Sequence, residues 1–119
     1  MNTKEYIRLV LRSESPSFDH LNKRLLHGCL GICNEAGELA AAVKRSLFYG
    51  RDLDLINVKE ELGDTLWFIA LCIDELGSSF EEIMELNIAK LKKRYPEQFT
   101  HDAATNRDLE AERNALEGE

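Results

Sequence analysis

Proline is scarce: the 119 residues hold only Pro16 and Pro96, leaving a long interior with no helix breaker. No segment alternates apolar and polar residues as a half-buried strand would, and no internal repeat is visible. Long apolar runs are missing as well. The longest, Leu66 to Ile73, has eight residues, whereas a membrane span needs about 20. The start, Met1-Asn2-Thr3-Lys4-Glu5, lacks the basic and then apolar regions of a secretory leader. The expected location is therefore cytoplasmic, with no membrane partner. Positive charge is outnumbered: 15 Lys+Arg against 22 Asp+Glu give a formal charge of −7. That balance argues against nucleic acid as a partner. It leaves room for a phosphorylated small substrate, because a bound divalent cation inverts the local field. Of the three cysteines, Cys29, Cys33 and Cys72, the first two can share a helix face, but no second pair completes a zinc site. They are expected to be small reduced core residues.

What remains reads as helix throughout: an all-α chain. A first short helix is expected over about 4–12. A second runs from near Phe18 to Tyr49, with an apolar stripe of Leu25, Cys29, Ile32, Ala36, Leu39, Val43 and Leu47. Gly50 stops it. Asp52 or Asp54 caps a third helix that reaches Leu76, before Gly77. Ser79-Phe80-Glu81-Glu82 has the form of a capping box for a fourth helix, which ends near Tyr95. The segment 106–119 is highly charged and is expected as a solvated helix or a frayed tail. Residues 1–105 form the main domain in this reading, a four-helix-type bundle.

Two carboxylate pairs stand out. Glu35 and Glu38 share one flank of helix two, and Gly28, Gly31 and Ala42 fall on that same flank. Such a small-residue groove suits a ligand or a closely packed helix. Glu61 and Asp64 repeat the spacing on helix three. They lie opposite Leu55, Leu62, Leu66, Ile69 and Ile73, taken as that helix's core side. The acidic side continues into Phe68 and Leu71, with Trp67 nearby, so it too must be covered. Four carboxylates from two helices suit Mg²⁺ or Mn²⁺. A di-iron bundle would want Glu-x-x-His pairs, which His20, His27 and His101 do not supply. On helix four, Asn87, Lys90 and Arg94 occur at i, i+3 and i+7, either a phosphate clamp or an ordinary solvated face. His27 lies beside Gly28. Trp67, Phe68, Phe48 and Tyr49 are candidates for an apolar wall against a base, or plain packing residues. Lys44 and Arg45 sit near the helix C-terminus, where cations are favourable without any ligand.

Three segments resemble the MazG-like nucleoside triphosphate pyrophosphohydrolases, all-α enzymes whose superfamily includes dimeric dUTPases and dCTPases. They are Gly31-Ile32-Cys33-Asn34-Glu35-Ala36-Gly37-Glu38-Leu39, Glu60-Glu61-Leu62-Gly63-Asp64-Thr65-Leu66-Trp67, and Asn87-Ile88-Ala89-Lys90-Leu91-Lys92-Lys93-Arg94-Tyr95-Pro96. The resemblance spans about His20 to Thr100. It implies hydrolysis of a nucleoside triphosphate between the α and β phosphates. It further implies metal binding by Glu35, Glu38, Glu61 and Asp64, with Glu35 a candidate to orient or deprotonate the water. Lys90 and Arg94 would hold phosphate oxygens, Asn87 phosphate or sugar, and Trp67 the base. A homo-oligomer, dimer or tetramer, is expected, with Trp67, Phe68 and Leu71 at the subunit boundary. The rival readings are a pyrimidine-specific dUTPase- or dCTPase-type hydrolase and a non-catalytic helical interaction module.

Overall fold

The computed structural model describes residues 1–16 and 23–119. Among the described residues six helices form and no strand does. They are α1 (Thr3–Leu11), α2 (Lys23–Tyr49), α3 (Leu55–Glu75), α4 (Phe80–Arg94), α5 (His101–Thr105) and α6 (Leu109–Leu116). The expected start of the second helix near Phe18 lies outside the described residues, as does His20. Several boundaries have a local cause. The Asn2 side chain accepts from the Glu5 N–H, Asp54 from those of Ile56 and Asn57, and Ser79 from that of Glu82. These bonds satisfy donors that a helix start leaves open. Gly50 and Gly77 follow α2 and α3 at φ of 64° and 65°, a left-handed turn that costs glycine little.

The chain divides into two compact units, 1–78 and 79–119. In the first, α2 and α3 pack along most of their lengths and α1 lies on α3. Pairings place the two long helices antiparallel: Arg24 meets Asp74 and Glu75, and Arg45 meets Asn57. Arg24 also donates to Glu14, so one guanidinium ties the end of α1 to both long helices.

The α2–α3 interface differs from the expected one. The residues of α2 that are buried are Gly28, Gly31 and Ala42, not the stripe of larger side chains. Cys29, Ala36, Val43 and Leu47 of that stripe are exposed, and Leu25, Ile32 and Leu39 are half-buried. Likewise α3 buries Glu61, Ala70, Leu71 and Ile73, whereas Leu55, Leu62 and Leu66 of the expected core side are exposed. The reason is close approach. A Cβ on Gly31 would lie 2.1 Å from Cδ1 of Phe68, and one on Gly28 would lie 2.3 Å from Sγ of Cys72. With no side chain at 28 and 31, the Phe68 ring fills the gap, and the acidic flank becomes the seam. The cover expected over the acidic side of α3 is therefore α2 of the same chain. The cysteines are free, as expected, but Cys29 and Cys33 are exposed and Cys72 half-buried rather than core.

In the second unit α6 packs on α4. Residues 106–119 are thus a docked helix over most of their length, not a frayed tail. Its anchor is Glu112, which is buried and accepts two hydrogen bonds from each of Arg94 and Arg107. Those two guanidinium groups hold the Glu112 carboxyl well below the ordinary carboxylate range.

Candidate metal and nucleotide site

The seam explains how the acids meet. Positions 28, 31, 35, 38, 42 and 45 of α2 follow a repeat of three and four, and so do positions 57, 61, 64, 68 and 71 of α3. Both sets therefore run straight along their helices. Between antiparallel helices, the order from one end is Gly28 and Gly31 against Phe68, then the acids, then Ala42 and Arg45 near Asn57.

One carboxylate oxygen from each of Glu35, Glu38 and Glu61 lies within 4.8 Å of the others. Glu61 is buried, Glu35 half-buried and Glu38 exposed. Asn57 orients Glu61 by donating from Nδ2 to Oε1 at 2.8 Å. The remaining oxygens, Oε2 of Glu35 and Oε2 of Glu61, are buried and accept no hydrogen bond from any described residue. Burial pushes the Glu35 carboxyl up from its ordinary value, and the charges of Glu38, Asp64 and Glu61 push it further. Clustered like charges with buried, unsatisfied oxygens are costly without a counter-ion. A hard divalent cation with oxygen preference satisfies both demands, so the donor set fits Mg²⁺ or Mn²⁺.

Asp64 is exposed and stands beside this trio, not within it: it lines a neighbouring cavity of about 390 Å³ together with Glu35, His27, Trp67 and Phe68. The three rings meet edge to face, with centroids 6.3 Å apart for His27–Trp67, 5.4 Å for His27–Phe68 and 4.9 Å for Trp67–Phe68. The Trp67 indole N–H donates to Ser13 Oγ at 2.8 Å, which fixes the ring from α1's side. Tyr6 of α1 lies near enough that the Asp64 charge, after burial, raises its hydroxyl pKa. Trp67, Phe68 and Leu71 are thus covered within the chain, and Leu71 is fully buried. In the single chain these three therefore do not form the expected exposed cluster: Leu71 is buried and Trp67 and Phe68 are half-buried.

Asn87, Lys90 and Arg94 lie on α4, in the second unit. Asn87 is exposed and Lys90 half-buried. Arg94 is half-buried and committed to Glu112, with its guanidinium carbon 5.7 Å from the Tyr95 ring centre. Glu112 and Arg107 had no place in the sequence reading. A lone acid in a charged tail carries no signal that it is buried between two arginines.

Among the described residues no helix is long and apolar enough to cross a membrane. The family profile described as "MazG nucleotide pyrophosphohydrolase domain" matches residues 26–99. The chain is also similar to the "Gene 37 protein" of Mycobacterium phage L5, with 31% identity over 85 residues, covering 66% of this chain and 72% of the relative. No solved structure matches the chain significantly. The matched region holds the whole acidic seam from Gly28 to Leu71, and the chain belongs to the MazG nucleotide pyrophosphohydrolase family.

Proposed function

We propose that the protein is a metal-dependent nucleoside triphosphate pyrophosphohydrolase that cleaves between the α and β phosphates, yielding a monophosphate and pyrophosphate. The observation that carries this reading is the trio of carboxylate oxygens within 4.8 Å, two of whose glutamates, Glu35 and Glu61, each have a buried oxygen with no hydrogen-bond partner among the described residues. Glu35, Glu38, Glu61 and Asp64 would hold Mg²⁺ or Mn²⁺. When bound, the cation neutralises phosphate oxygens and makes water a better nucleophile. Glu35 is the proposed residue to orient or deprotonate the attacking water, because it is half-buried and belongs both to the acidic trio and to the lining of the ring cavity. The ring cavity of His27, Trp67 and Phe68 takes the base, with Trp67 as its fixed wall. On their sequence pattern, Asn87 is assigned to phosphate or sugar and Lys90 to phosphate oxygens; Arg94 shares that pattern and would have to leave Glu112 to join them.

The protein is further proposed to be a homo-oligomer, a dimer or tetramer that completes the bundle. Leu26, Leu30 and Leu47 of α2 and Leu55, Leu62 and Leu66 of α3 are all exposed in the single chain. So many exposed leucines on two paired helices are a liability for a soluble monomer, and a second copy covers them economically.

The test is a panel of ribo- and deoxyribonucleoside triphosphates with Mg²⁺, scored for pyrophosphate. Turnover of several bases supports the general enzyme. Turnover of dUTP or dCTP alone narrows it to the pyrimidine-specific type. No turnover by protein that binds the metal would identify an interaction module.

A further inference from the structure

We propose that Arg45 and Arg51 form the subsite for the terminal phosphates of the substrate, and hence for the pyrophosphate product. The inference rests on the nucleotide reading above and extends it to residues in the first unit alone. Beyond the acids, the seam does not end. Its next positions on α2 are Ala42 and Arg45, and both line a cavity of about 240 Å³ with Arg51, Asp52, Asp54 and Asn57. Gly50, at φ 64°, turns the chain so that the Arg51 N–H donates to the Arg45 carbonyl at 3.4 Å. That turn brings both arginines to one cavity.

Asn57 links this cavity to the acids. Its Oδ1 accepts from Arg45 at 3.5 Å, while its Nδ2 donates to Glu61. Arg45 is seven residues beyond Glu38, about 10 Å along the axis. Helix side chains lean toward the N-terminus, which here is toward the acids.

The charges fit an anion. Arg24, Arg94 and Arg107 each sit against carboxylates. Among the described residues, Arg45 and Arg51 make no salt bridge, although Asp52 and Asp54 line the same cavity. Asp54 is engaged by the backbone N–H groups that start α3, and Asp52 is exposed. Two guanidinium groups without a carboxylate partner among the described residues, beside the acidic seam, suit a doubly charged phosphoryl chain. The seam then reads in one direction as aromatic cavity, acids and arginines, the order of base, scissile phosphate and leaving group in a nucleoside triphosphate.

The test is binding of magnesium pyrophosphate, and separately of a nucleoside monophosphate, by calorimetry to wild type and to R45Q/R51Q. Both positions are exposed, so the variant should keep its helical content; R45K/R51K retains the charge and should retain part of the binding. Loss of charge-assisted hydrogen bonds should weaken pyrophosphate about tenfold to hundredfold, with monophosphate affinity unchanged. Pyrophosphate affinity unchanged in R45Q/R51Q, an equal loss for both ligands, or no pyrophosphate binding by wild type would each overturn the subsite. Wild type that binds pyrophosphate through these arginines yet hydrolyses no nucleotide leaves the subsite standing and removes the activity proposed above.

Discussion

Replacing Glu35 by glutamine separates a charge cluster built for a cation from acids that merely decorate a helix. The substitution keeps shape and removes one negative charge from three oxygens no more than 4.8 Å apart. At that separation two unit charges repel by about 3.5 kcal/mol at an effective dielectric of about 20, and by about 0.9 kcal/mol in bulk water. Glu38 is exposed, so solvent screening pulls the figure toward the lower end, about 1–2 kcal/mol. The raised Glu35 pKa has the same sign: its ionised form is penalised in the folded state at neutral pH. Glu35→Gln should therefore raise the melting temperature of the metal-free protein by several degrees, at about 4 °C or more per kcal/mol. Mg²⁺ should reverse the ranking. Wild type gains about 2.7 kcal/mol at a hundredfold excess over its Kd, and the variant gains far less. Scanning calorimetry with and without Mg²⁺ reads both effects. A metal-free variant that melts below wild type, or an equal Mg²⁺ response in the two proteins, would refute the reasoning.

Three other outcomes are expected. Gly31→Ala should destabilise by about 1–3 kcal/mol, because the new methyl meets the Phe68 ring, whereas Gly37→Ala, with open space around it, should stabilise by up to about 1 kcal/mol through helix propensity; chemical denaturation of both measures the contrast. Leu62→Glu with Leu66→Glu should lower the assembled mass seen by light scattering while leaving helical content intact, since both side chains are exposed in the single chain; an unchanged mass would place the interface elsewhere. Glu112→Gln should lower the melting temperature at neutral pH. Because Arg94 and Arg107 depress the Glu112 pKa, its contribution is present above the ordinary carboxylate value and fades as pH falls below it, so melting curves of wild type and variant should converge on acidification.

Helix existence and caps were legible because they depend on local chemistry. Asp54, Ser79, Gly50 and Gly77 each act on their own neighbours. The acids were legible because their spacing of three recurs on two helices. The facing of those helices was legible only in part: Gly28, Gly31 and Ala42 mark a flank suited to a ligand or a close helix, but the larger apolar stripes read as the core sides. Leu62 and Leu66 read as core by hydrophobicity, yet Glu61 is the buried neighbour. The seam is written in glycines and carboxylates, which an apolar template discounts, although positions 28, 31, 35, 38 and 42 keep the three-four repeat. Gly28 and Gly31 hold the missing information: their lack of a Cβ admits Phe68 and Cys72. Arg94 shows the opposite limit. Its stripe suggested a phosphate contact, and only the fold reveals that Glu112 already engages it.

The central claim is attack on the α-phosphorus of a nucleoside triphosphate at the Glu35, Glu38, Glu61 and Asp64 site. Its most direct test is phosphorus NMR of the products formed from a turned-over nucleoside triphosphate with Mg²⁺, by wild type and by Glu38→Gln. The account predicts monophosphate and pyrophosphate from wild type, with the rate cut at least about a hundredfold in the variant, or about 2.7 kcal/mol of transition-state stabilisation. Diphosphate and orthophosphate as products, or a variant as fast as wild type, would contradict it.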